Sequence, residues 1–224
     1  MTGQHPDELR FKRQRFALTA VDGAGLFDPA THGVEPRWLG TGCYRGYICR
    51  YAVVRRRLVL RHLQLGSENA PAPLGGVQAR ADERRRWNYE GLTLPVAFTG
   101  RLLIGRGDLD HCPHLNMGYW PAWMFPDVRE LAFRDGTLLT ATDCSAALAE
   151  VRAVLFDLGI GPDAEEPSEN WIGRTFSLTY DYSWPGRYER SADHWHELLA
   201  AVRNRSSAPI SGGPSGDGPP DRKS

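Results

Sequence analysis

Lysine is almost missing from this chain. Of its 27 basic residues only Lys12 and Lys223 are lysine, and the others are arginine. That usage fits a GC-rich bacterial genome better than selection for guanidinium chemistry. Charge of one sign is missing as well. The 27 basic residues face 27 acidic ones, so the formal net charge is zero and no global field draws the chain to nucleic acid or to an anionic membrane. Nowhere do roughly 18 apolar residues follow one another, which excludes a membrane-spanning helix. The start, MTGQHPDELRFKRQRF, lacks the apolar run of a signal peptide. The four cysteines show no disulfide framework. Cys43 and Cys49 fall on one expected strand, where extended chain would hold their α-carbons about 20 Å apart, far beyond the roughly 7 Å that a disulfide allows. A reducing, cytoplasmic compartment is the expectation.

The familiar catalytic signatures are also absent. There is no GxGxxG after a strand, no P-loop, no GxSxG elbow, no HExxH and no CxxC pair. No cofactor is expected.

What the chain has in quantity is strand-and-turn grammar. CYRGYICRYAVVRRRLVLRHLQL (Cys43 to Leu65) reads as two long strands joined by three arginines. Both alternating sets of Cys43–Val54 are largely apolar, as in a strand covered on both faces. Arginine is disfavoured at positive φ, so Arg55–Arg57 predicts a loop of three or more residues rather than a two-residue type I′ turn. VRELAFRDGTLLTAT (Val128 to Thr142) carries the strong Asp135-Gly136 hairpin signal, which would place Phe133 opposite Leu138, Leu131 opposite Thr140 and Ala132 opposite Leu139. LPVAFTGRLLIG (Leu94 to Gly105) is a looser hairpin-like stretch, and Arg10–Ala20 a short β-like one.

Two helices follow. Asp143 or Ser145 can cap the first, whose Leu148, Val151, Leu155 and Leu158 keep helical spacing up to Gly159. The second spans about Asp193 to Arg203. Between them WIGRTFSLTYDYSW alternates as a half-exposed strand, Phe176, Leu178, Tyr180 and Tyr182 on one face. The tail from Ser206 to Ser224 has too little apolar content to offset the entropy of ordering it. Without it about 200 residues remain, enough to bury roughly 70% of the unfolded surface in one core. The reading is a single α+β domain over 1–205, a mainly antiparallel β-meander curled or barrel-like with two helices of the C-terminal half packed on it, and a disordered tail over 206–224.

Two segments could carry function. A polar insertion over 66–91 is longer than ordinary loops. It ends in ERRRWNYE, so Arg84, Arg85, Arg86, Trp87 and Tyr89 unite the residue types of protein-interface anchors. Its acidic neighbours Asp82, Glu83 and Glu90 argue against a phosphate-tracking groove, and nucleic acid is not expected. The other segment, GDLDHCPHLN, gathers Asp108, Asp110, His111, Cys112 and His114. Asp108, Asp110, His111 and His114 are the catalytic candidates of a hydrolase-type alternative, with Asp110, His111 and His114 as its divalent-metal ligands. A tight turn explains the same Asp, Asn, Gly and Pro content. Aromatics around Trp120 and Trp123 allow a third reading, a small-molecule-binding β-barrel. With no coherent catalytic set, the leading expectation is a non-catalytic bacterial cytoplasmic binding or accessory protein acting through a protein partner.

Overall fold

The computed structural model describes residues 3–109, 118–157, 173 and 175–185. The expected second helix, Gly159, the tail over 206–224, and Asp110, His111, Cys112 and His114 lie outside the described residues. Nine strands dominate: β1 Glu8–Phe11, β2 Gln14–Ala24, β3 Tyr47–Val54, β4 Arg57–Leu65, β5 Arg80–Ala81, β6 Trp87–Pro95, β7 Thr99–Arg106, β8 Asp127–Arg134 and β9 Thr137–Asp143. One long helix, α1, spans Ser145–Asp157, and a short helical turn spans Tyr180–Ser183.

The strands run in the order β3-β1-β2-β7-β8-β9-β4, and β3 pairs again with β4, so seven strands close into a barrel. The expected α+β fold with a curled, mainly antiparallel sheet is therefore present. Within it β7, β8 and β9 run as a meander, while β1 and β3 lie parallel with Glu8 opposite Arg50 and Arg10 opposite Ala52. The closing seam is narrow: β4 meets β9 only at Arg57 and Thr137, and from Val59 onward the same edge of β4 pairs with β6.

Leucines fill the interior, and they shift parity along β4. Leu58 and Leu60 point inward at even positions, Leu63 and Leu65 at odd ones, and all four are fully buried. Such a shift requires one extra residue, and the register does slip at Arg61, where Arg50 faces His62 but Tyr51 faces Leu60. Leu9, Leu18, Tyr89, Leu102, Phe98 and Phe133 join the same core. Each such side chain contributes about 1.5–3 kcal/mol on burial.

A second core lies outside the β2–β7–β8 wall. Ala20, Leu103 and Val128 present the outer face, and α1 covers it with Leu148, Val151 and Leu155 around Trp123 and Met124. Asp143 starts α1 as expected: its carboxylate accepts the Ser145 backbone N–H at 3.0 Å and the Ser145 hydroxyl at 2.7 Å.

Several expectations are corrected. Arg55-Arg56 forms a two-residue turn after all, with Val54 opposite Arg57 and φ of 48° and 66°. The strands' right-handed twist selects the I′ geometry and overrides arginine's local preference. Asp135-Gly136 makes the expected turn, and Phe133 faces Leu138, but a bulge at Leu139 then puts Ala132 opposite Thr140 and Leu131 opposite Ala141. β6 and β7 do not form a hairpin with each other: β6 pairs with β4, and β7 with β2 and β8. Over 175–185 the alternating stretch contains no strand and ends in the helical turn. On its β1 side β2 is paired only over Gln14–Ala17, and beyond it this stretch makes isolated contacts rather than a ladder: Val21 N–H donates to the Leu178 carbonyl at 2.8 Å and Ser183 Oγ to the Thr19 carbonyl at 2.6 Å.

Candidate functional site

The parallel pairing of β1 with β3 sets two hairpin turns side by side at one end of the barrel. In the first, Phe11 faces Gln14 across Lys12-Arg13, with φ of 47° and 67°. The second is Arg55-Arg56. Left-handed backbone costs an L-residue without a stabilising short side chain about 1–2 kcal/mol, and all four positions are held by long basic side chains. The flanks add more charge. Arg10 lies directly opposite Arg15 on the outer face, a like-charge cross-strand pair, and Arg57 follows the second turn. All seven cations are exposed. None of them has a carboxylate within ion-pair distance among the described residues. The remaining local contacts are neutral: Arg57 Nη1 donates to Thr137 Oγ1 at 2.5 Å, and Lys12 Nζ sits 5.4 Å from the Phe11 ring centre.

Elsewhere six arginines are held by carboxylates, while Arg37, Arg61, Arg80, Arg84, Arg85 and Arg134 have none within ion-pair distance among the described residues. Arg50 meets Glu8 at 3.2 Å, Arg86 meets Asp82 at 2.7 Å, Arg101 meets Asp22 at 2.7 Å and Arg106 meets Asp127 at 2.8 Å. The deepest pair is Arg45 with Asp7, which is 2% exposed. Both Asp7 oxygens accept from the guanidinium, and Oδ1 also takes the Cys49 N–H at 2.5 Å. Burial pushes the Asp7 carboxyl up, against the charge and hydrogen bonds of Arg45. Burial pulls Arg45 the other way, but the charge of Asp7 and its hydrogen bond outweigh it, so the guanidinium stays protonated. This pair anchors the segment before β1 to β3, with Asp7 buried and Arg45 half-buried. The neighbouring Cys43 and Cys49 are free thiols, and the turn at Gly46 takes Cys43 off the expected strand, which begins at Tyr47. Burial pushes both thiols up, which keeps them from acting as thiolate nucleophiles.

A cleft of about 340 Å³ borders the basic rim at Arg15, lined by His5, Glu8, Arg50, Arg106 and Asp108 over a floor of Ala17 and Gly105. Phe125 stands over Gly105, whose missing side chain makes room for the ring. Two of the three arginines there are already paired with carboxylates, and Arg15 is not.

Of the sequence candidates, Asp108 is exposed at the edge of this cleft. The insertion over 66–91 divides. Arg84 and Arg85 are exposed on a turn whose Asp82 carboxylate accepts the N–H of both Arg84 and Arg86 at 2.9 Å. Slight desolvation pushes the Asp82 carboxyl up, but those hydrogen bonds and the Arg86 charge hold it below the usual carboxylate range. Trp87 and Tyr89 instead belong to β6. Tyr89 is fully buried with its hydroxyl donating to the Ala72 carbonyl at 2.5 Å, and half-buried Trp87 donates from Nε1 to the Ser67 carbonyl at 3.1 Å. They pin the insertion to the sheet, so Tyr89 cannot serve as an exposed anchor. Among the described residues no group of three or more His, Cys, Asp or Glu is placed to hold a metal, and no helix is long and apolar enough to cross a membrane.

The rim has no local signal in the sequence, because its two basic turns lie far apart along the chain and only the β1–β3 pairing unites them. No family model, curated protein or solved structure matches this chain.

Proposed function

We propose that this chain is a non-catalytic binding protein that engages an acidic surface of a protein partner through the basic rim. The observation that carries this reading is the clustering of seven cations without a carboxylate partner among the described residues, four on two adjacent strained turns and three on their flanks. Strain and like-charge repulsion both oppose folding there, and strained conformations persist where function requires them. An acidic partner removes the repulsion and gains charge-assisted hydrogen bonds. Nucleic acid fits less well, since the rim offers no exposed aromatic ring for stacking and the net charge is zero. Arginine usage and unbridged cysteines support a bacterial cytoplasmic setting.

The test is cross-linking in the native host, followed by affinity purification and mass spectrometry. It compares the wild type with a rim variant (Lys12→Glu, Arg13→Glu, Arg55→Glu, Arg56→Glu) and a loop variant (Arg84→Glu, Arg85→Glu). A stoichiometric protein lost in the rim variant and kept in the loop variant supports the proposal. Loss in the loop variant alone moves the contact to the insertion. The same proteins recovered from all three forms would sink both sites.

A further inference from the structure

Beside the rim, the barrel wall has an open edge. Beyond Thr137 no described strand lies along the outer side of β9, because β4 ends at Arg57 and β6 follows β4 the other way. Leu139, Thr140, Ala141, Thr142 and Asp143 are all exposed, Leu139 by 45%. In antiparallel pairing alternate residues turn both backbone groups toward the partner strand and the next turn both away. Cys144 N–H donates to the Val128 carbonyl at 2.9 Å. Counting back through the register, Asp143 and Ala141 therefore direct their N–H and C=O away from β8. Leu138 has the same outward orientation, and its groups are already met. Its N–H donates to the Arg56 carbonyl at 2.7 Å, while Arg56 Nη2 donates to the carbonyls of Leu138 at 2.5 Å and Leu139 at 3.1 Å. Arg56 thus satisfies the first step of a ladder whose next steps stand open.

Resting on the rim reading, we infer that the partner contributes an extended acidic segment that adds to the barrel as a strand along β9. Its main chain pairs with Ala141 and Asp143, and its carboxylates meet Arg55, Arg56 and Arg13. Charge complementarity selects this occupant: the open backbone begins at the uncompensated turn, and an extended strand is the form of peptide that satisfies outward N–H and C=O groups in sequence. Sheet edges left open invite unwanted pairing, and the bulge at Leu139 together with the Arg56 contacts restricts access to a segment able to pair with the arginine.

The probe is a fluorescein-labelled peptide of repeated Glu-Val-Glu-Thr, followed by anisotropy with the full chain. A second peptide of the same sequence carries N-methyl groups on alternate residues, which keeps the charge and removes main-chain donors. Wild type should bind the first peptide about tenfold more tightly than the second, the scale of one or two lost hydrogen bonds. Ala141→Pro, which deletes an outward N–H and no ladder bond, should weaken binding by a similar factor. Hydrogen exchange at Ala141 and Asp143 should be fast in the free protein and slow on adding peptide. Equal binding of both peptides by both proteins, with loss only in the rim variant, overturns strand addition and leaves the rim reading standing. Binding unchanged in the rim variant overturns both. Protection of Ala141 before any peptide is added means that the chain covers its own edge, and a single-stranded RNA that outcompetes the peptide assigns the rim to nucleic acid. Either result overturns the inference.

Discussion

Arg45 and Arg56 carry the same side chain and live under opposite rules. Arg45 is half-buried, shared among Asp7, the Tyr47 carbonyl at 2.8 Å and the face of the Tyr47 ring at 4.6 Å. Arg56 is exposed, sits at φ 66° and spends its donors on backbone carbonyls. One locus minimises electrostatic energy and the other accumulates it. What sets the rim apart from Arg37, Arg61, Arg80 and Arg134, which also have no carboxylate partner among the described residues, is its concentration on two adjacent turns.

The sharpest way to break the contrast is Asp7→Ala. It leaves a half-buried guanidinium and the buried Cys49 N–H without their acceptor, and should cost about 3 kcal/mol in chemical denaturation. A loss below about 1 kcal/mol would mean that Arg45 escapes to solvent and that the two loci do not differ in kind. At the rim the sign reverses. Arg55→Asn with Arg56→Gly supplies the residues that an I′ turn favours and removes two like charges, so stability should rise by about 1–2 kcal/mol while partner capture falls. A destabilised variant would show that the Arg56 contacts to Leu138 and Leu139 outweigh the strain.

The smallest effect concerns His62, which lies between Arg50 on β3 and Glu90 on β6. Burial first, then the Arg50 charge, hold its imidazolium below the ordinary 6.5, against Glu90 and Glu8. The unfolded chain then binds the proton before the folded one does. Stability therefore falls as pH drops through about 6.5, until folded His62 itself titrates. His62→Gln should flatten that part of the stability profile measured by denaturation across pH, and an unaltered profile would remove His62 from the account.

Much of the architecture is legible in the sequence because it follows from pattern. The apolar run of β3, the Asp135-Gly136 turn and the spacing of Leu148, Val151 and Leu155 each report local geometry directly. The parity switch from Leu58 and Leu60 to Leu63 and Leu65 is a pattern of the same kind, since a strand can keep all four on one face only by inserting a residue between them. Where local preference and tertiary demand conflict, the sequence misleads. Arginine's aversion to positive φ argues against a two-residue turn that strand twist imposes. Phe176 to Tyr182 alternates like a strand, yet it meets β2 only at isolated points such as Val21 and Leu178 and turns into a short helix. Trp87 and Tyr89 resemble anchors by type, and only their burial reveals them as packing. The rim is the least legible feature, because a cluster built from hairpins some forty positions apart depends on one parallel pairing.

That pairing also dictates the order of assembly. The β1–β2 hairpin can form as soon as it is synthesised, yet one of its edges waits for β3 and the other for β7, with Thr19 and its Leu103 partner 84 positions apart. At translation rates of about 5–20 residues per second the wait is on the order of ten seconds, and so many distant pairings place folding in the slow, millisecond-to-second class. Throughout that interval the nascent hairpin exposes two unpaired edges, so Arg10, Lys12, Arg13 and Arg15 act as gatekeepers, keeping neighbouring chains on the same polysome from stitching their hairpins together.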